Sequence, residues 1–187
     1  MSLTLHTVDT APAAARPALQ AIVESYGFLP NLAAVFAESP ATLGTLLTIM
    51  KNFDAAEMTL SRLERQVVLL AASVQNNCEY CTAAHGMLAH MAGLDRVEVE
   101  KLQTRRALGA PRLQALRQFV QIVVEERGWV PADAVSSFIA AGFSRAQVLE
   151  VVLGIALKTL TNYVNHMAKP PVNQQFAAFL PRVEAPV

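Results

Sequence analysis

Apolar residues recur along this chain at intervals of three and four, the spacing that lines one face of an α-helix. Alternation of the strand type is nearly absent, and no hairpin dipeptide sits between alternating apolar residues. The pattern therefore predicts an all-α fold. Helices are expected over 11–27, within 28–40 after a turn at Pro30, and over 41–56 and 59–75. A further helix is expected from the cysteines at 78–81 to residue 92, then others over 95–103, 111–126, 131–140 and 144–168. A short terminal segment, 173–180, follows Pro170–Pro171. Gly27 and Gly93 stand where C-terminal stops belong, and Ser61 with Glu64 fits a capping box. The 59–75 segment places apolar residues at 60, 63, 67, 70, 71 and 74, one amphipathic face.

Composition narrows the picture. At 187 residues the chain suits a single domain, with a core around 59–93 and a second helical half around 111–180. Apolar residues make up 53% and charged residues 16%. That surplus, in a chain without ~18 uninterrupted apolar residues, predicts burial between subunits and not a membrane partner. Basic and acidic residues balance at 15 each, and no basic cluster is present, which argues against nucleic acid. The N-terminus has no basic stretch followed by an apolar one, so a cytoplasmic location is expected.

Both cysteines of the chain lie in "NNCEYCTAAH", 76–85. Cys78, Cys81 and His85 fall at i, i+3 and i+7, on one face of a helix that starts near Asn77. Free backbone N–H groups and the positive end of the dipole favour an anion there. A thiolate is such an anion, so the thiol pKa is expected to fall, with His85 one turn away to carry the proton. Three uses of the pair stay open at this point: redox chemistry, a zinc site completed by His90 or His166, and plain core packing. Glu64 reads first as the partner of Ser61. Gln66, flanked by apolar residues, reads as a buried amide in need of a partner, with a thiol or His85 as candidates. Tyr80 is expected to face away from the sulfurs, and its covering of the pocket is the lesser alternative. Sliding the chain by 81 residues lays 66–89 over 147–170, with His85 over His166 and Cys81 over Asn162. That echo reads as a duplicated helical hairpin in which the first copy alone kept its thiols.

The segment "LERQVVLLAASVQNNCEYCTAAHGMLAHMAGL" resembles the core of the carboxymuconolactone decarboxylase-like superfamily, in its alkyl hydroperoxidase D-like branch. "YGFLPNLAAVFAESPATL" (26–43) and "LTNYVNHMAKPPVNQQF" (160–176) are similar to the peroxidase-related members of that branch. The resemblance implies an all-helical homo-oligomer, a trimer or hexamer, with no cofactor and no metal. It implies peroxide reduction, with a lipoyl or thioredoxin-like dithiol protein as reductant. By position Cys81 matches the attacking cysteine, Cys78 the resolving one and His85 the relay histidine. The family's relay glutamate, twelve residues before the first cysteine, is Gln66 here, and Glu64 lies two residues earlier on another face of the helix. Two further readings stand beside this one. The first is a redox-sensing or non-catalytic helical oligomer. The second is a lactone decarboxylase-like enzyme, against which the intact cysteine pair argues.

Overall fold

Nine α-helices follow one another in the computed structural model, which describes residues 3–181. They are α1 Arg16–Tyr26, α2 Asn31–Phe36, α3 Pro40–Phe53, α4 Arg62–Gln75 and α5 Glu79–Met91. Then come α6 Arg96–Gln103, α7 Pro111–Glu125, α8 Ala132–Ala140 and α9 Arg145–Ala168. A 3-10 helix, Gln174–Phe179, closes the described chain. No strand occurs among the described residues. The helix ends have local causes. Gly27 takes a left-handed conformation (φ 76°) that closes α1, at no steric cost without a Cβ. Ser61 and Glu64 form the expected capping box at the start of α4. A second box, Ser144 with Gln147, starts α9.

α4 is the axis of the molecule. It packs against α5, α7 and α9, and every residue from Val67 to Val74 is buried. One apolar face was expected; burial runs right round the helix instead, because neighbours cover it on three sides. Ser73 lies in that run, and its hydroxyl donates to the Leu69 carbonyl at 2.7 Å, so the helix itself satisfies it. Deep in this core α9 comes close to α4 and α3. A Cβ placed on Gly154 would lie 2.7 Å from Val68 Cγ1 and 2.8 Å from Phe53 Cζ. Only a residue without a side chain permits that approach.

The two segments joined by the echo differ. Over 66–89 the chain forms two helices, α4 and α5, with a break at Asn76–Cys78. Over 147–170 it is one helix, α9, running 24 residues to a left-handed Lys169. The duplicated hairpin is therefore corrected: similar apolar periodicity, shared by any two buried helices, produced the overlay. Met50 and Met91 are exposed. No single described helix is long and apolar enough to cross a membrane.

Candidate functional site around Cys78 and Cys81

The break between α4 and α5 positions the sulfurs. Asn77 adopts φ 54°, the left-handed region that asparagine tolerates better than most residues. Cys78 becomes the N-cap of α5 in extended backbone, and its N–H donates to the Ser73 carbonyl at 3.0 Å. Arg105 holds the break from outside, donating to the Val74 carbonyl and to Asn77 Oδ1, both at 2.9 Å. From inside, Asn76 Nδ2 donates to Asn162 Oδ1 at 2.9 Å, tying the break to α9. Both thiols are buried and free. Cys81 falls in the first turn of α5, as its spacing from Asn77 predicted.

α9 supplies what the sulfurs face. Asn165 Nδ2 lies 3.1 Å from Cys81 Sγ and 3.7 Å from Cys78 Sγ. Lys158, two turns earlier, is 2% exposed, and its Nζ is 2.9 Å from His85 Nε2. An ammonium only donates, so His85 Nε2 accepts. The ring proton then sits on Nδ1, which donates to Gln66 Oε1 at 3.1 Å. The network assigns this tautomer. His85 is thus a neutral spacer between an amide and a lysine, its pKa held well below the ordinary value by burial and by the Lys158 charge. Neither of its nitrogens is hydrogen-bonded to a sulfur, so the direct His85–thiol contact expected from spacing does not form.

The two thiols behave oppositely. A hydrogen bond from Cys78, the Lys158 charge and the amides of Asn165 and Asn162 pull the Cys81 thiol down to about 5, against the cost of burial. The Cys78 thiol is pushed far up, by its bond to Cys81, by burial and by the charge on Cys81. Two buried sulfurs this close hold one negative charge between them, and α9 assigns it to Cys81. The helix start was expected to acidify both. Charge repulsion between neighbours overrides it for Cys78.

The remaining candidates separate. Glu64 does not join the sulfurs: its carboxylate accepts from the Ser61 backbone N–H at 2.8 Å and from Arg112 Nε at 2.7 Å. Tyr80 does not face away. Its ring belongs to the cluster of Cys78, Cys81, Ala83 and Phe176, edge-on to Phe176 at 5.8 Å between centroids. Its hydroxyl donates to Asn173 Oδ1 at 2.7 Å and accepts from the Leu32 N–H at 3.3 Å. It thereby pins α2 and the segment after α9 over the cysteines, and burial raises its pKa. His90 does not join the site: its Nδ1 meets the Leu94 carbonyl at 3.0 Å. No three of His, Cys, Asp and Glu gather as metal ligands among the described residues.

Lys158, Asn162 and Asn165 escaped the sequence reading. Lys158 and Asn165 drew no reading, and Asn162 counted only as the echo of Cys81. Their signal was present nonetheless. Positions 151, 154, 158, 161, 162 and 165 form one helical stripe, so four polar residues, Lys158, Thr161, Asn162 and Asn165, sit where a core stripe expects apolar ones. Among the described residues, two buried atoms there, Asn162 Nδ2 and Asn165 Oδ1, find no partner at hydrogen-bond geometry, as happens at functional sites more than in structural cores.

Two hollows flank the pair. One, of about 490 Å³, is bordered by Cys78, Tyr80, Asn165 and His166. The other, of about 430 Å³, is lined by Gln66, His85 and Lys158.

Residues 41–121 match the model of the carboxymuconolactone decarboxylase family. No curated protein matches the chain. Among solved structures, it is similar to an uncharacterized peroxidase-related protein from Ralstonia eutropha JMP134 with an alkylhydroperoxidase AhpD core. The two share 19% identity over 96% of each chain, with a TM-score of 0.85. A peroxidase-related protein from Silicibacter sp. TM1040 shares 20% identity over 94% of this chain and 92% of its own, with a TM-score of 0.80. The debrominase Bmp8, in a complex with 2,3,4-tribromopyrrole, shares 16% identity over 96% and 95%, with a TM-score of 0.78. At these identities the likeness is one of fold. The family match thus covers the segment 41–121, and the described residues carry the alkyl hydroperoxidase D-like fold.

Proposed function

We propose that this protein is a thiol peroxidase that reduces hydroperoxides through Cys81 and Cys78. The observation that carries the reading is the asymmetry of the pair: one sulfur is held as an anion beside Lys158 and Asn165, and its neighbour stays protonated. Cys81 thiolate attacks the terminal peroxide oxygen and breaks the O–O bond. The departing alkoxide takes a proton from Lys158 and leaves as an alcohol, and Cys81 becomes a sulfenic acid. Cys78 gives up its proton and attacks the Cys81 sulfur, expelling water and closing the disulfide. A dithiol protein of the lipoyl or thioredoxin type attacks Cys78, and Cys81, the more acidic thiol, departs as thiolate. The partner's second thiol then attacks the mixed disulfide and releases Cys78, the partner's two protons returning to Cys78 and Lys158. Both cysteines are then reduced and the partner holds the disulfide.

Cys78, rather than Cys81, borders a hollow, and this supports its role as the sulfur that the reductant meets. An apolar row on the outer side of α9, Leu149, Val152, Tyr163 and Met167, is exposed and supports a homo-oligomer, which light scattering at micromolar concentration tests. The deciding assay is peroxide consumption with lipoyl, thioredoxin and glutathione donors. Turnover with a dithiol donor, lost in Cys81→Ser and in Cys78→Ser, is the expected result. Peroxide loss unaffected by either substitution, or none with any donor, overturns the proposal.

A further inference from the structure

The 430 Å³ cavity beside His85 has a composition that peroxide chemistry alone does not require. Hydrogen peroxide needs neither its volume nor its walls, which are in the size range of a small organic ligand. The walls are apolar along their length: Leu47, Phe53, Leu69, Leu88 and Leu157. The charged groups are of nearly one sign. Lys51, Arg62, Arg65 and Lys158 line the cavity against a single carboxylate, Asp54. Asp54 is already engaged by Arg65 at 3.0 Å. Among the described residues, no carboxylate pairs with Lys51, Arg62 or Lys158. This concentration of cations belongs to a chain whose net charge is zero, so it is local and not a by-product of a basic protein.

The cations occupy two levels. Lys51 and Arg62 are exposed and stand at the mouth. Lys158 is buried at the inner end, bonded to His85. Between them lies apolar wall. We infer that the cavity binds an amphipathic organic anion, a carboxylate on an apolar body, with the carboxylate held at the mouth by Lys51 and Arg62 and the apolar body directed toward His85 and Lys158. A neutral alkyl chain gains the walls but nothing from the mouth, and a small inorganic anion gains the mouth but nothing from the walls. The inference deepens the peroxidase reading in one respect only: under that reading the hydroperoxide group is borne on the body, away from the carboxylate. Binding itself does not depend on it.

The test measures binding apart from turnover. Decanoate and 1-decanol are titrated calorimetrically into the reduced full chain, and into Lys51→Gln/Arg62→Gln, whose exposed positions leave the core untouched. Decanoate is expected to bind the parent chain, and the double variant to weaken it about ten-fold, the combined worth of two exposed charge contacts. Decanol is expected to bind both proteins alike, and added salt to weaken decanoate alone. Equal affinity for decanoate and decanol, or decanoate binding that the double variant leaves intact, overturns the inference. A second measurement compares kcat/KM for a carboxylated and a neutral hydroperoxide of equal length. The carboxylated one is preferred by the parent chain, and the preference shrinks in the double variant. If decanoate binds as described and no hydroperoxide is turned over, the peroxidase reading fails and this inference stands. If hydroperoxides are reduced without preference and decanoate does not bind, this inference fails alone.

Discussion

The stretches 66–89 and 147–170 are built from the same kind of residues and serve the cysteine pair in opposite ways. The first breaks. Asn77 turns left-handed, a new helix starts, and the sulfurs arrive in its first turn. The second runs through, and its continuity sets Lys158, Asn162 and Asn165 on one face at successive turns. One segment brings the two sulfurs together, and the other lays a lysine and two amides beside Cys81 that help to lower its pKa. A helix start alone treats two adjacent thiols alike; a straight helix laid across it supplies the difference between them.

The comparison is broken most severely by removing what the first stretch brings. Cys81→Ser is expected to abolish peroxide turnover. Cys78→Ser is expected to leave a single stoichiometric reaction that stops at a sulfenic acid, detected by trapping with a dimedone-type reagent under mass analysis.

Next comes the charge delivered by the second stretch. Lys158→Met removes a cation that favours the Cys81 thiolate. An opposite charge at close range is typically worth about 1–3 pKa units, so the alkylation midpoint should rise by that much from about 5, and the rate at pH 7 should fall by up to about ten-fold. The sign follows from the thiolate being the reactive form. In the parent chain alkylation is expected to fall only as pH drops through about 5, the value to which the Cys81 thiol is pulled down. In the variant the fall begins at higher pH. Iodoacetamide alkylation of Cys81 across pH 4–9 checks both, with circular dichroism to show that the fold is retained.

The break itself is tested by stability. Asn77→Val forces a β-branched residue into φ 54° and removes the acceptor for Arg105. The left-handed conformation alone costs about 1–2 kcal/mol, so the melting temperature should drop. Asn77→Gly relieves the backbone while losing the same acceptor, and is expected to melt close to the parent. Equal loss in both variants would show that the Arg105 bond, not the backbone, governs the break.

Gln66→Glu sharpens the comparison with the smallest effect. The family pattern suggests that a carboxylate there should accelerate the reaction. The buried lysine reverses that expectation. A carboxylate on His85 Nδ1 would draw on the positive charge that Lys158 otherwise offers to Cys81 alone. The alkylation midpoint should move slightly upward, and turnover at neutral pH should change by no more than about the ten-fold that one pKa unit represents. A downward shift of the midpoint would restore the carboxylate relay.

Helix positions were legible because their causes lie within a turn of the sequence. Ser61 with Glu64, Gly27 and Pro111 each act on the backbone beside them, and the expected segments match the observed helices to within a few residues. Cys78, Cys81 and His85 were legible for the same reason, since one helix carries them. Lys158 and Asn165 lie 73 and 84 residues from the atoms they meet. Only the crossing of α9 over α5 joins them, and a periodicity does not state which stripe meets which. Tyr80 was misplaced because its partners, Asn173 and Leu32, come from segments that spacing within α5 does not reach. The duplication was misread for a related reason. The boxes that start α4 and α9, Ser61–Glu64 and Ser144–Gln147, stand two residues out of register with the echo.

Gly154 touches no sulfur, no proton and no ligand, yet it constrains how this molecule can change by descent. It lies one turn before Lys158, and its missing side chain lets α9 settle on Val68 and Phe53. Any larger residue lifts the helix that carries the lysine or drives Phe53 into the neighbouring cavity, whose wall it forms. A lineage that enlarges position 154 and keeps the chemistry must shrink Val68 or Phe53 in the same step. Among descendants of this sequence, those three positions are therefore expected to vary as a set, with the intermediate single substitutions purged.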